Sequence, residues 1–357
     1  MSFLASIRQH DAPVAVEVGQ TILEAALAAG VPFPHGCRSG NCGACKSRLD
    51  SGEVELTPYS EFALSATERA DGLILACRAV PWSDVSLGWL DADETILHPL
   101  RYLTCRVVAL DDATHDIKRL RLAIEAGGPF SFSPGQYAAL CFAGQAPRDY
   151  SMANRPDEAE LEFHVRRSAG GGASRYVAEM LRVGDAVKVE GPFGSSFLRD
   201  KHTGPILAIA GGSGLAPIKS IVESALAAGM AQPIDLYVGV RAERDLYLEE
   251  YFQGLAARHA NFRFIPVLSQ PEGATTRRCG FVHEAAVADH PDLDGAKAYL
   301  AGPPVMVEAA TAALLARGMR RQDIHADAFY TEAEKAALLG AAQNGAAQTG
   351  VTGEIVA

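Results

Sequence analysis

The sequence predicts a multidomain chain: a small strand-and-helix module around a cysteine loop, an antiparallel β-barrel, and an α/β domain with a parallel sheet. Three observations predict it. Four cysteines fall at Cys37-x4-Cys42-x2-Cys45 and, far downstream, Cys77. From about residue 101 to 203, short apolar runs are separated by Gly, Pro and Asp, the mark of short antiparallel strands. From Gly204 onward wholly apolar runs alternate with helical stretches, which implies buried parallel strands joined by right-handed crossovers.

A chain of 357 residues is long enough for two or three cores. Its net charge of −11 argues against nucleic acid or an anionic membrane as partner. No apolar run reaches the roughly 18 residues of a membrane span. Met1 to Gln9 leads into strand alternation rather than a signal peptide, so a cytoplasmic protein is expected. Cys105, Cys141 and Cys279 are scattered and read as buried thiols.

In the first module, residues 3–8 and 14–18 alternate like two strands joined by a turn. Thr21 and Glu24 form a capping box for a helix from Ile22 to Ala29, which Gly30 ends and Pro32 keeps from continuing. The cysteine spacing is that of plant-type [2Fe–2S] ligands, making Cys37, Cys42, Cys45 and Cys77 candidate metal ligands. Gly36, Gly40 and Gly43, with small Ser39 and Ala44, let backbone N–H groups approach the sulfurs. A zinc knuckle would want a second Cys/His pair near Cys77, and a disulfide an oxidising compartment. The module holds 11 acidic and six basic residues up to position 92, a face that could steer a basic partner or serve only solubility. The polar stretch 93–100 reads as a linker.

Next, residues 103–110, 117–122 and 136–141 read as barrel strands. Arg148, Tyr150 and Ser151 offer a guanidinium, an aromatic face and a hydroxyl on one short stretch. His164, Val165 and Arg166 end a strand. Gly170, Gly171, Gly172, Ala173 and Ser174 then open a helix over 175–181, and a glycine loop at a helix N-terminus suits a pyrophosphate, though a flexible loop would look the same. In the α/β part, strands are expected at 205–210, 234–240, 262–268 and 298–301, with helices following the 211–217 loop through Ala227, at 245–257 and at 306–316. Gly211, Gly212, Ser213 and Gly214 follow the first strand, where parallel sheets bind ligands; this is not the G-x-G-x-x-G fingerprint. The tail, 332–357, is rich in Ala, Gly and Gln and reads as disordered after one short helix.

These motifs, in this order, resemble a plant-type ferredoxin fused to a module similar to ferredoxin–NADP reductases, across about residues 1–330. The wording RDYSMAN and ADAFY looks most like the reductase components of Rieske ring-hydroxylating dioxygenases, the naphthalene type in particular. The resemblance implies a β-grasp domain at 1–92, an FAD-binding barrel at 101–203 and an NAD-binding α/β domain at 204–331. It assigns Arg148, Tyr150 and Ser151 to the flavin, with Ser151 and Tyr150 beside its reactive edge. It assigns His164 to Arg166 and Gly171 to Ser174 to the flavin phosphates, Gly211 to Gly214 to the nucleotide, Gly302, Pro303 and Met306 to the nicotinamide, and Phe329 to the cover of the flavin. The family usually has cysteine where Ala301 stands. Around the nucleotide ribose, Arg241 and Arg244 alternate with Glu243 and Asp245; carboxylates can accept ribose hydroxyls, so NADH is expected over NADPH.

The cofactors implied are a [2Fe–2S] cluster, FAD and NADH. A nicotinamide gives two electrons as hydride and a cluster takes one, so a flavin must stand between them. The acceptor expected is a ferredoxin or a terminal Rieske oxygenase, and the chain a monomer. A soluble di-iron monooxygenase reductase has the same domains. A redox sensor or passive carrier would need the cluster without the nucleotide motifs.

Overall fold

The structure, a computed structural model, describes residues 2–41, 43–61, 63–90, 96, 98–168, 170–331 and 333–334. It divides into two compact units, one amino-terminal to His98 and the other His98–Phe329.

In the first unit, β1 (Ser2–Ile7) and β2 (Val14–Glu17) form a hairpin, followed by α1 (Ile22–Ala28). Then come β3 (Lys46–Ser51), β4 (Val54–Leu56), α2 (Ala66–Ala70), β5 (Leu73–Leu75), β6 (Ala79–Pro81) and β7 (Val85–Trp89). Five strands make a mixed sheet in the order β2-β1-β7-β3-β5, with β7 parallel to β1. This is a β-grasp: α1 buries Ile22, Leu23, Ala25 and Ala26 in one core with Val16, Leu75 and Leu87. The expected capping box starts α1, with Thr21 Oγ1 accepting from Glu24 N–H and Glu24 accepting from Thr21 N–H at 3.0 Å. A second box, Ser65 with Glu68, starts α2, and Glu68 also pairs with Lys46 on β3 at 2.6 Å. Of the expected linker only Ile96 and residues 98–100 are described, and the tail 332–357 lies outside the described residues save 333–334.

The second unit opens with β8 (Arg101–Asp112), β9 (Ile117–Ala126), β10 (Tyr137–Cys141), β11 (Arg148–Ser151) and β12 (Glu160–Arg166). Then α3 (Gly172–Glu179) and β13 (Ala186–Phe193) complete its first half. These strands form one antiparallel sheet, β11-β10-β13-β8-β9-β12. A single antiparallel bridge, Met152↔Phe163, brings the last strand back toward the first and all but closes a barrel.

The second half runs β14 (Ile206–Gly211), α4 (Leu215–Ala227), β15 (Ile234–Val240), α5 (Glu249–Arg258) and β16 (Phe262–Leu268). It ends with β17 (Arg278–Cys279), α6 (Val282–Asp289), β18 (Lys297–Gly302), α7 (Pro304–Ala316) and β19 (Ile324–Ala328). All six strands are parallel, ordered β17-β16-β15-β14-β18-β19. The chain leaves β14 in one direction and resumes on its other side at β18. That reversal is a topological switch point, where a crevice opens beyond the strand ends.

Several elements differ from the sequence reading. α5 starts at Glu249 rather than Asp245, because Glu243–Asp245 winds into a 3₁₀ turn and Leu248 takes a left-handed φ of 57°. α3 begins three residues earlier than expected, and β13, β19 and α6 were not anticipated. Of the three extra cysteines only Cys105 is fully buried, its thiol pushed up to about 12 by burial; Cys141 is half-buried and Cys279 exposed on the edge strand β17.

Barrel and parallel sheet meet on a buried ionic seam. Lys219, on α4, donates to the Ala153 carbonyl at 3.0 Å and pairs with Glu162 of β12 at 3.5 Å and Glu223 at 3.2 Å. Its neighbour Ser220 donates to the Asn154 carbonyl at 2.7 Å. Burial alone would raise the Glu162 carboxyl, but the His164 hydrogen bond, the Lys219 charge and Arg119 hold it well below the usual carboxylate range. Burial raises Glu223 instead.

The two carboxyls therefore act in opposite senses. Glu162 contributes stability above its unfolded pKa of about 4.3, lost as pH falls through its lower folded value, whereas Glu223 is protonated on acidification without loss. Burial also holds His164, His325 and His98 low, so thermal unfolding of the second unit should begin to ease as pH falls below about 6.5, where only the unfolded chain protonates them, with a further acid limb from Glu162 below about 4.5. Glu162→Gln should flatten that acid limb; an unchanged limb in a pH series of melting curves would refute the role of Glu162.

Candidate functional site

In the first unit, the loop between α1 and β3 is wound by left-handed backbone. Arg38, Gly40 and Gly43 have φ of 53°, 78° and 74°. A Cβ on Gly40 would lie 2.9 Å from Arg78 and Tyr59 side-chain carbons, so position 40 is closed to any larger residue. The winding turns main-chain N–H groups onto sulfur. Asn41 N–H donates to Cys37 Sγ at 3.2 Å, Ser39 N–H to the same sulfur at 3.5 Å, and Cys77 N–H to Cys45 Sγ at 3.4 Å. Cys45 and Cys77 are buried and Cys37 half-buried. Buried sulfurs fed by amide donors are what an anionic iron–sulfur cluster requires in place of water, so the donor set fits. Cys42, the fourth predicted ligand, lies outside the described residues.

In the second unit, β11 presents Arg148, Tyr150 and Ser151 at the edge of the barrel sheet. Arg148 is exposed, its Nη1 donating to the Pro147 carbonyl at 2.8 Å. Tyr150 packs edge-on to Phe142, and burial pushes its phenol up to about 12, so it stays neutral across the working range. Ser151 Oγ donates to Asp327 of β19 at 3.2 Å. Asp327 is in register with Ala301 of β18, so the barrel edge reaches the switch point.

Of the strand expected to face the phosphates, Arg166 is held by Asp116 at 2.8 Å and Val165 is buried in the barrel core. The His164 side chain turns inward: Nε2 faces Glu162 at 2.9 Å and Nδ1 the Tyr247 hydroxyl at 2.8 Å. Both ring nitrogens are thus engaged inside the protein, which leaves only the main chain of this residue for a ligand. At the start of α3, Gly171 supplies no side-chain cap. A Cβ there would lie 2.2 Å from Ser168 Oγ and 2.4 Å from Ser174 Oγ. A bare helix N-terminus, with Gly172, Ala173 and Ser174 in its first turn, fits a flavin pyrophosphate.

The two nucleotide motifs, far apart in sequence, meet. Gly211, Gly212, Ser213 and Gly214 turn off β14 while Gly302 and Pro303 leave β18 beside them. A Cβ on Gly211 would lie 2.5 Å from Met306 Sδ and 3.0 Å from Pro303 Cδ; one on Gly214 would lie 2.1 Å from the Ala301 carbonyl oxygen. Phe329 is half-buried, its N–H donating to the Gly302 carbonyl at 2.9 Å. A crevice floored by bare backbone at this strand reversal fits a dinucleotide. After β15, Asp245 turns back to accept from Ala242 N–H at 3.1 Å, and Arg244 pairs with Glu272 at 3.3 Å. Arg241 and Glu243 stay exposed at the mouth. Sequence reasoning missed Asp327, Lys219, Asp116 and Tyr247. Only Asp327 carried a signal, its place two residues before Phe329.

Comparison with known proteins matches three family models along the chain: a 2Fe-2S iron-sulfur cluster binding domain at 7–81, an oxidoreductase FAD-binding domain at 104–197 and an oxidoreductase NAD-binding domain at 208–312. The chain is 42% identical over 314 residues to a reductase component from Ralstonia sp., a ferredoxin–NAD(P)+ component of naphthalene 1,2-dioxygenase/salicylate 5-hydroxylase systems; the match spans 88% of this chain and 94% of that one. It is 41% identical over 346 residues to the phenol 2-monooxygenase reductase component of Pseudomonas sp. strain CF600, spanning 94% and 97%. Among solved structures it is similar to the Amycolatopsis cytochrome P450 reductase GcoB, at TM-score 0.75 and 40% identity over 92% of this chain and 98% of that one. It is also similar to a ferredoxin reductase in carbazole 1,9a-dioxygenase, at TM-score 0.68 and 29% identity over 92% and 99%.

Two substitutions test the two sites. Cys77→Ser should lose the iron while flavin stays bound, because the sulfurs and the barrel lie in different units; full iron by metal analysis would refute the ligand. Gly214→Ala should lower NADH oxidation more than about tenfold at unchanged flavin content, since its Cβ overlaps a backbone carbonyl; turnover near the parent rate would refute the close approach.

Proposed function

This chain belongs to the family of ferredoxin–NAD(P)+ reductase components of naphthalene dioxygenase and similar aromatic oxygenase systems, and we propose that it passes electrons from NADH to a ferredoxin or to the terminal oxygenase of such a system. The observation that carries the reading is the meeting of three pieces at one switch point: Ser151 of the barrel, Asp327 of β19, and the Gly211–Gly214 and Gly302–Met306 turns. FAD held at Arg148, Tyr150 and Ser151 would supply the conversion between the two-electron chemistry of NADH and the one-electron chemistry of a [2Fe–2S] cluster.

The residues divide that work. Arg148, Tyr150 and Ser151 hold the flavin, with Ser151 and Tyr150 nearest its reactive edge. The main chain at His164 to Arg166 and the α3 N-terminus, Gly171 to Ser174, take its phosphates. The Gly211–Gly214 turn seats the nucleotide and Gly302, Pro303 and Met306 its nicotinamide end, with Arg241 at the ribose. Phe329 keeps water from the flavin face. Cys37, Cys42, Cys45 and Cys77 hold the cluster. Ala301, fully buried where the family usually has cysteine, removes a thiol near the nicotinamide and leaves the backbone turn intact.

A phenol-type monooxygenase is a second reading for the partner, favoured by the 41% identity to the phenol 2-monooxygenase reductase component. No helix among the described residues is long and apolar enough to cross a membrane, and we take the chain to act as a cytoplasmic monomer.

Removing residues 1–92 should leave an NADH-oxidising flavoprotein that reduces ferricyanide but no longer reduces cytochrome c or the native partner. Full transfer to the partner by the truncated chain would show that the cluster is not the exit for electrons.

A further inference from the structure

We infer that Tyr247 is a positioning residue for nucleotide binding, a buried wedge that fixes the Gly211–Gly214 turn against barrel strand β12. The inference rests on the reading of that turn as the seat of NADH. Tyr247 follows the 3₁₀ turn after β15 and is 6% exposed. Its hydroxyl lies 2.8 Å from His164 Nδ1 and 3.4 Å from the carbonyl oxygen of Gly212. Its ring meets the His164 ring edge-on, with centroids 5.3 Å apart. One side chain therefore touches three separate pieces of the fold: the barrel strand, the nucleotide turn, and the segment beside the expected ribose pocket.

The barrel side of the contact is clamped. His164 is clamped by Glu162, which is held in turn by Arg119 at 2.9 Å and by Lys219. Gly212 has a φ of 55°, and its carbonyl also accepts from Leu215 N–H within the same 3₁₀ turn, so the Tyr247 hydroxyl adds a tie from outside that turn. The Tyr247 hydroxyl, between His164 Nδ1 at 2.8 Å and the Gly212 carbonyl at 3.4 Å, ties the turn to the barrel strand. The turn's N–H groups are the ones a nucleotide phosphate would meet, so their aim depends on that wedge. Tyr247 itself touches no reacting atom.

The test uses the full-length holoprotein with flavin and cluster loaded. Calorimetric titration of the oxidised protein with NAD+ compares the parent with Tyr247→Phe, which keeps the ring and removes only the hydroxyl. We expect the Kd for NAD+ to rise about tenfold, as loss of one buried hydrogen-bonding partner predicts. KM for NADH should rise with it, while kcat in ferricyanide reduction changes by less than about twofold. A lower melting temperature with unchanged Kd and KM would make Tyr247 merely structural and overturn the inference. Should the variant yield too little protein for calorimetry, amide hydrogen exchange at 212–214 replaces it; faster exchange in the variant supports the inference and equal exchange overturns it. A parent chain that binds no NAD+ would overturn the nucleotide-site reading itself, and the inference with it.

Discussion

The buried ammonium of Lys219 constrains the second unit. Lys219 reaches the Ala153 carbonyl and two carboxylates at once, and every one of those oxygens sits away from water. Leaving any of them unpaired would carry a desolvation cost of several kcal/mol, on the order of the stability of a whole domain. An apolar seam of equal volume could be as stable. What the ion pair adds is direction: Glu223 rides on α4 with Lys219, and the ammonium meets Glu162 and the Ala153 carbonyl only when α4 has one rotation and one height against the barrel. Because α4 begins just after the Gly211–Gly214 turn and Ala153 follows Ser151 by two residues, that one condition also sets the distance between Ser151 and the turn.

The same logic explains why so few side chains are needed at the switch point. Gly211, Gly214 and Gly302 bring backbone against backbone, with virtual Cβ positions 2.1 to 2.7 Å from neighbouring atoms. Bare N–H groups and carbonyls line the crevice there, and the buried seam beside it ties α4 to the barrel. Ser151 and Asp327 then close the arrangement from the barrel side. Ala301 enters this arrangement as a buried backbone step whose carbonyl faces Gly214.

In the first unit the constraint is electrostatic too, but local. An iron–sulfur cluster needs N–H donors near its sulfurs, and the chain brings two onto Cys37 where it winds left-handed at Arg38, Gly40 and Gly43. Arg38 adopts that conformation without the excuse of a missing Cβ, a strain that persists only where the surroundings fix it. The acidic composition of this unit is a property of its surface and plays no part in the winding.

The cysteine spacing, both strand periodicities and the Thr21–Glu24 cap were legible because each is a torsional or periodic preference acting over a few residues. The three-part architecture followed, and so did the glycine turns, since small residues at strand ends announce close backbone approach. Tertiary structure alone decided what His164 does: nothing in its neighbours says that Glu162 and Tyr247 will claim both ring nitrogens. Ser151 and Asp327 stand 176 residues apart, and Lys219 lies 57 from Glu162. Whether such groups meet depends on strand order, on the reversal between β14 and β18, and on the rotation of α4. Those are set by how whole faces pack, a quantity that no window of sequence contains.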